Sequence, residues 1–201
     1  QNLVLLVLVT SVVTMPVGCA FYMPAPALTA WNKEDKQDKK RGVPPKHRPP
    51  KPPKNPAYPT KQEIALALLE EFRRTHPTLA VQRVLADALY GTHQFMEQAA
   101  KLCGTHVISQ LHQNQNVRFR NTQISLERYV TQSPGVPQRI RIRGDEEVTV
   151  MVSSARLYVA AHHKKRFVIA LKYPDETDYR DVVASDLSWR TVDIVQGYTL
   201  R

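Results

Sequence analysis

The order of sequence patterns between Thr60 and Leu111 constrains the fold of this chain more than any other feature. A helical pattern, an extended apolar run, a second helical pattern and a second extended run follow one another. The first helix begins at the capping box T-K-Q-E, and Ile64, Leu68 and Phe72 recur along one of its sides. Helices that alternate with strands predict an α/β fold, in which a sheet is flanked by helices.

A single carboxylate stands where the first of these strands is predicted to end. The strand covers Val81 to Ala86, Asp87 follows directly, and Thr92 can cap a second helix that runs to about Leu102. In an α/β sheet the carboxyl ends of the strands face the crevice where ligands bind, and an exposed carboxylate there can hold Mg²⁺. A helix that starts just after Asp87 would also favour phosphate nearby, because its first turn carries partial positive charge. We therefore predict that Asp87 is a metal-binding catalytic acid. The simpler alternative is a polar residue that ends a strand before a turn.

Three short motifs resemble those of the DDE transposases of bacterial insertion sequences. They are L-A-D-A-L-Y-G at 85–91, V-I-S-Q-L at 107–111 and Y-T-L-R at 198–201. In that family a Tyr, two residues, an Arg, three residues and the catalytic Glu form a helical signature, of which this chain has Tyr198 and Arg201. The resemblance places the Glu four positions beyond Arg201 and the first catalytic Asp on a strand that precedes Gln1. It implies an internal fragment of a transposase from the branch with a β-strand insertion between the second Asp and the Glu.

The same resemblance implies a fold, a cofactor and a partner. The fold would be RNase H-like, a mixed sheet flanked by helices with an inserted antiparallel β-rich region. The complete enzyme would hold Mg²⁺ or Mn²⁺ between three carboxylates, nick DNA at the element ends and join the freed 3′ hydroxyl to target DNA, working as a homodimer. Asp87 would be the catalytic and metal-binding residue, and Tyr198 and Arg201 would position or contact DNA. With one of the three carboxylates, the chain is expected to be inactive alone.

The first 59 residues divide into an apolar segment and a basic, proline-rich segment. Leu3 to Val9 is an unbroken run of Leu and Val, and no charge occurs before Lys33. Thr, Ser, Pro and Gly interrupt the apolar segment after Val9, and it lacks the basic start of a signal peptide. Residues 3–10 and 12–23 are therefore interpreted as two strands buried on both faces. The resemblance implies that 1–32 is a core β-hairpin of the RNase H-like domain. Residues 33–59 are predicted to be a loop, because Pro and Lys dominate there, and its basic side chains could contact phosphate or simply be solvated.

Beyond the α-β-α-β part assigned to 60–112, the pattern changes to alternating strands. The runs R-I-R-I-R, V-T-V-M-V, A-R-L-Y-V and R-F-V-I-A-L-K-Y predict antiparallel strands with one solvent-exposed face. H-H-K-K-R at 162–166 predicts a hairpin turn with both histidines in solvent. The resemblance assigns 113–184 to the β-rich insertion and 185–201 to the start of the C-terminal catalytic helix. This helical pattern shows no C-cap, so the helix is expected to continue past the last residue. The residues of this part that are predicted to contact DNA are Arg118, Arg120, Arg139, Arg141 and Arg143. The last three fall on one face of a strand, where they could equally guard an exposed edge against aggregation.

The overall charge indicates the kind of partner. A net charge of +10 and a pI near 9.8 favour a polyanionic partner, of which nucleic acid is the commonest and an anionic membrane surface is the alternative. The resemblance implies that the partner is DNA. No membrane partner is predicted. The two cysteines, Cys19 and Cys103, show neither a disulfide pattern nor zinc-ligand spacing, so a cytoplasmic protein with reduced thiols is expected. The alternative is that the chain is a non-catalytic basic DNA-binding protein. It would use the basic segment 33–59 and the strands that carry the arginines predicted to contact DNA.

Overall fold

The computed structural model describes residues 2–10, 12–142 and 146–199. Arg143 and Arg201, which were predicted to contact DNA, lie outside the described residues. The strands are β1 (Leu3–Val9), β2 (Thr14–Phe21), β3 (Arg83–Leu85), β4 (His106–Gln110), β5 (Asn116–Phe119), β6 (Thr122–Ser125), β7 (Val136–Arg141), β8 (Glu147–Val159), β9 (Lys164–Lys172) and β10 (Arg180–Ala184). The helices are α1 (Pro26–Lys40), α2 (Lys61–Thr75), α3 (His93–Cys103), α4 (Leu126–Gln132) and α5 (Thr191–Thr199).

Eight of these strands form one mixed sheet. Its order is β3-β4-β10-β9-β8-β5-β6, and β7 also pairs with β8. β3 and β4 run parallel, whereas the other pairings in this sheet are antiparallel. The helix–strand–helix–strand order of residues 60–111 is present as α2, β3, α3 and β4. The mixed α/β fold predicted from the sequence is therefore confirmed.

Helices cover both faces of this sheet. Successive side chains of a strand point to opposite faces, so apolar neighbours on β4 pack against different helices. On β4, Val107 packs in a core cluster with residues of α2, α3 and α4. The next residue, Ile108, packs in a second cluster that includes Ile194 of α5. Both side chains are completely buried. β4 therefore runs through the middle of the molecule, and its carboxyl end lies where a central sheet can form a ligand site.

β1 and β2 form a hairpin, but this hairpin is not part of the central sheet. Among the described residues the two strands pair only with each other, from Leu3 opposite Phe21 to Val9 opposite Thr14. Val4 is buried against α2, while Leu5 is 52% exposed. The structure thus differs from the prediction of core strands buried on both faces. An apolar run specifies an extended strand, but it does not specify which sheet the strand joins.

α1 occupies part of the segment that was predicted to be a loop. Pro26 stands in its first turn, where a missing N–H group costs no hydrogen bond, and the helix contains no further Pro or Gly. Its charged residues pair one turn apart, as Lys39 does with Asp35. The proline-rich chain then folds back, and Trp31 Nε1 donates to Pro49 O at 2.8 Å. Residues 33–40 are therefore helical, because a charged composition without Pro or Gly is compatible with a solvated helix.

The described ranges contain no helix with both the length and the apolar character needed to cross a membrane.

Candidate active site

The segment that carries Asp87 starts as its sequence predicts. Val84 is buried at the centre of β3 and lies opposite Val107 of β4 in the parallel ladder. Ala86 N donates to Ile108 O at 2.9 Å, which extends the pairing one step past the strand. Asp87 comes immediately after this last pairing and is exposed. The sequence therefore places this carboxylate at the carboxyl end of a strand of the central sheet, although the strand is shorter than predicted.

The segment directly after Asp87 differs from the prediction. A 3₁₀ turn, Ala88–Tyr90, comes first, and α3 begins only at His93. Two capping residues act in succession, since Asp87 caps the short turn and Thr92 caps the longer helix. Gly91 separates them. The predicted helix end directly after Asp87, with its affinity for phosphate, is therefore not formed.

The Asp87 carboxylate has one oxygen engaged by the protein. Oδ1 accepts a hydrogen bond from Leu89 N at 2.9 Å, and Oδ2 has no partner among the described residues. The main chain is fixed as well, because Ser109 Oγ donates to Asp87 O at 2.7 Å. Burial raises the pKa of Tyr90, and the charge of Asp87 adds to the effect. An exposed carboxylate with one available oxygen on a fixed main chain can serve as a ligand of a divalent cation.

An open cleft of about 530 Å³ lies beside this turn. Ala88 lines it, together with residues at the end of β4 and the start of β10. Gln110, at the end of β4, donates a hydrogen bond from Nε2 to the Tyr198 hydroxyl on α5. α5 is thereby connected to the same edge of the sheet as Asp87. Tyr198 itself is only 4% exposed, so in this structure its ring packs in the core and its hydroxyl reaches Gln110.

The cleft also contains a carboxylate that sequence reasoning did not identify. Asp181, on β10, is 3% exposed, and neither of its side-chain oxygens has a hydrogen-bond partner among the described residues. Burial raises its pKa to about 7. The neighbouring Arg180 points to the opposite face and forms an ion pair with Glu176. Nothing in D-Y-R-D marks Asp181 as buried, because an acidic residue at the start of a strand ordinarily faces solvent.

The residues present fit a metal only in part. Across the described ranges, no group of three or more His, Cys, Asp or Glu side chains is placed to hold a metal ion together. Asp87 has the oxygen chemistry that Mg²⁺ and Mn²⁺ prefer and fits as one ligand. A complete site requires carboxylates that this part of the chain does not bring to Asp87.

The arginines predicted to contact DNA fall into two groups at opposite ends of β8. Arg139 and Arg141 lie on one exposed face of β7, and Glu147 contacts them at 3.6 and 3.8 Å. Arg118 of β5 is exposed and lies over the Tyr158 ring, and Arg120 stands in the β5–β6 turn. Arg139 lies opposite residue 149 and Arg118 opposite residue 158, so nine strand residues, about 30 Å, separate the groups. The structure therefore does not gather them into one patch.

The turn H-H-K-K-R also differs from its prediction. The turn forms, with His163 in the left-handed region at φ 52°, but His162 is only 1% exposed and Arg166 is fully buried. Their side chains reach back to the segment that follows Asp87. Adjacent basic residues gave no signal of this burial, because it depends on how β9 packs beside α3.

The mixed sheet with helices on both faces defines an α/β protein, and Asp87 is a candidate ligand residue at the end of one of its strands. The family model of the DDE superfamily endonucleases matches residues 1–166, and the chain belongs to this family. The match includes Asp87 and ends before α5. The architecture is consistent with the RNase H-like fold that the resemblance implied, and the family implies a DNA substrate and divalent metal ions. No curated protein gives a significant match.

Proposed function

We propose that this chain is part of a transposase that cuts and joins the DNA of an insertion sequence with Mg²⁺ or Mn²⁺, and that Asp87 is one of the metal ligands. The observation that carries the proposal is the exposed Asp87 carboxylate at the end of β3, with one oxygen available, beside an open cleft. It lies within the residues that match the endonuclease family. The complete enzyme would act in the cytoplasm as a homodimer. The strands β5–β10 would be an insertion that extends the sheet formed by β3 and β4.

The chemistry assigns distinct tasks to the metal and to the protein. Divalent ions between carboxylates stabilise the attacking and leaving oxygens of a phosphoryl transfer. Asp87 would contribute an oxygen to a bound ion, while Ser109 holds its main chain and Leu89 N holds its Oδ1 in place. The described residues bring no group of three metal-ligating side chains together, so the 201-residue chain is expected not to cleave DNA by itself. Tyr198 acts through Gln110 and positions the end of β4.

DNA binding is proposed for the basic surface of the chain. On α1 the residues Lys33, Lys36 and Lys40 are exposed, and their spacing of three and four places them on one side of the helix. Their neighbours Asp35 and Asp38 are buried against other basic side chains. This side of α1 therefore offers phosphate a row of cations that no acidic residue of the same helix neutralises directly. The arginines of β7 and β5 are proposed to add further phosphate contacts.

A metal titration tests the role of Asp87. The amide of Leu89 donates to Asp87 Oδ1, so Mn²⁺ at Asp87 is expected to broaden the Leu89 amide resonance at millimolar concentration. The broadening should disappear in Asp87→Asn and persist in the matched control Asp175→Asn, which changes an exposed carboxylate on the loop before β10. Broadening that is equal in all three proteins would refute the metal role.

DNA binding and cleavage separate the transposase from the alternative, a non-catalytic basic DNA-binding protein. Fluorescence anisotropy with a duplex should show affinity that falls with salt. Replacing Lys33, Lys36 and Lys40 by Gln should reduce the slope of log affinity against log salt by about 2–3, since each phosphate contact contributes about 0.9. Asp87→Asn should leave this slope unchanged.

A plasmid-nicking assay tests cleavage. In Mg²⁺ the wild-type chain should show no activity above that of Asp87→Ala. Nicking by the wild type that is lost in Asp87→Ala would refute the proposed inactivity. Equal metal responses of wild type and Asp87→Asn would favour the non-catalytic protein.

A further inference from the structure

A chain of buried side chains connects β9 to the segment that follows Asp87. Arg166 Nε donates to His162 Nδ1 at 3.0 Å, and His162 Nε2 lies 2.9 Å from Gly91 O. Arg166 Nη2 donates to Glu97 Oε1 of α3 at 2.7 Å. Lys164 contacts the same carboxylate from the edge of the group. Arg166 is fully buried and His162 nearly so, which means that water does not replace these partners.

The donors and acceptors of this group fix the state of the histidine. An arginine side chain has only donors, so His162 Nδ1 must accept and the ring proton must lie on Nε2. Nε2–H therefore donates to Gly91 O. A protonated ring would direct N–H against N–H at Arg166. Burial lowers the pKa of His162 to about 4, in agreement with a neutral ring at pH 7.

The same group fixes one end of the segment 87–91. Ser109 Oγ holds Asp87 O at the first end, and His162 holds Gly91 O at the last. Gly91 also lies directly against β4, since a Cβ atom built on it would stand 2.0 Å from Gln110 O. Its φ is −74°, so the glycine is needed for close approach and not for an unusual main-chain conformation. The turn that carries Asp87 is thus clamped at both ends.

We infer that His162 and Arg166 are positioning residues of the candidate active site, which hold the Gly91 carbonyl and thereby the orientation of the Asp87 carboxylate. This inference rests on the proposed function for its catalytic meaning. That His162 and Arg166 hold the Gly91 carbonyl follows from their side-chain contacts and does not depend on the proposed function. Neither residue touches the reacting groups, and the expected effect of losing them is a mobile Asp87 turn in a folded protein.

Hydrogen exchange of the 201-residue chain tests the inference. The Leu89 amide is bound to Asp87 Oδ1, so its exchange rate reports the position of the carboxylate. In His162→Leu, which fills the space without hydrogen bonds, exchange at Leu89, Tyr90 and Gly91 should accelerate about tenfold or more, because a buried carbonyl and a buried guanidinium lose a partner. In His162→Gln exchange should return toward wild type, since the amide can accept from Arg166 and donate to Gly91 O.

Matched controls separate positioning from a general loss of stability. Val150→Ala removes buried volume in the other core cluster. In this variant the ratio of the exchange rates at 89–91 to those in β9 should be the same as in wild type. Glu97→Ala removes a half-exposed partner of Arg166 and should accelerate exchange at 89–91 by a smaller factor, which keeps the test decisive if His162→Leu does not fold. Equal changes at 89–91 in His162→Leu and Val150→Ala, or no recovery in His162→Gln, would overturn the positioning role.

The Mn²⁺ response of Leu89 separates this inference from the proposed function. If wild type responds and His162→Leu responds less, both hold. If wild type shows no response while exchange behaves as expected, Asp87 is not a metal ligand, and His162 and Arg166 still position its turn.

Discussion

Replacing Asp181 by Asn should stabilise the protein in a way that depends on pH. Asp181 is buried on β10, its carboxylate oxygens have no hydrogen-bond partner among the described residues, and burial raises its pKa to about 7. The nearest cation in sequence, Arg180, is engaged by Glu176 on the other face of the strand. Asparagine has nearly the same shape and no charge. The substitution should therefore remove the cost of an ionised group in the core.

The sign and the size of the effect depend on the pKa. The ordinary value for Asp is 3.8, so between about pH 4 and pH 7 the native state keeps a proton that the unfolded chain loses. The free energy of unfolding of the wild type therefore falls as pH rises through this window, and the contribution is fully lost above pH 7. A pKa difference of one between the native and unfolded states changes the free energy of unfolding by about 1.4 kcal/mol. The rise of the Asp181 pKa from 3.8 to about 7 therefore corresponds to about 4 kcal/mol. Asp181→Asn should match wild type near pH 4 and exceed it by up to about 4 kcal/mol at pH 8.

Urea unfolding at several pH values from 4 to 8 measures this difference. The matched control is Asp178→Asn, which changes an exposed carboxylate just before β10 and should leave the pH dependence as in wild type. A gap between wild type and Asp181→Asn that stays constant from pH 4 to pH 8 would show that Asp181 is already paired or solvated. The physical account of its burial would then be refuted.

Three further substitutions test the packing around the site by urea unfolding. Gly91→Ala should destabilise by about 1–3 kcal/mol, because its Cβ would meet Gln110 O, a main-chain atom that cannot move aside; an unchanged midpoint would contradict the close approach. Thr60→Ala should cost about 1 kcal/mol, since it removes the capping box with Glu63 at the start of α2, while a loss below a few tenths would mean that α2 does not depend on its cap. Met96→Ala should cost about 2–5 kcal/mol, as Met96 is completely buried in α3, and a near-neutral result would place it outside the core.

Much of the local structure could be predicted from the sequence, because it depends on neighbours within one or two turns. The capping box at Thr60 and the cap at Thr92 are present as predicted. The position of Asp87 at the end of a strand follows from the apolar run before it and the turn after it. The short 3₁₀ turn was not predicted, because Asp87 was interpreted as a metal ligand and not as the cap of a turn of its own.

The contacts of the site could not be predicted in the same way. The buried state of His162 depends on α3 and on the turn at Gly91, which lies 71 residues earlier in the chain. The hydrogen bond between Gln110 and Tyr198 joins residues 88 apart. Composition led to a solvated turn at 162–166 and a loop from residue 33, because charged residues are usually exposed and proline-rich segments are usually irregular.

The sequence alone determined the α/β class, the helices and strands around the site, and the placement of one carboxylate at a strand end. These follow from periodicity and capping, which act between residues close along the chain. Only the tertiary structure decided that β10 lies between β4 and β9 and that β1 and β2 form a sheet of their own. It also decided that Asp181 is buried at the cleft beside Ala88, and that the buried pair His162 and Arg166 reaches Gly91. The reason is that burial and strand order are set by packing between segments that are distant in sequence. A local amino-acid pattern does not specify which distant segment a strand or a side chain packs against.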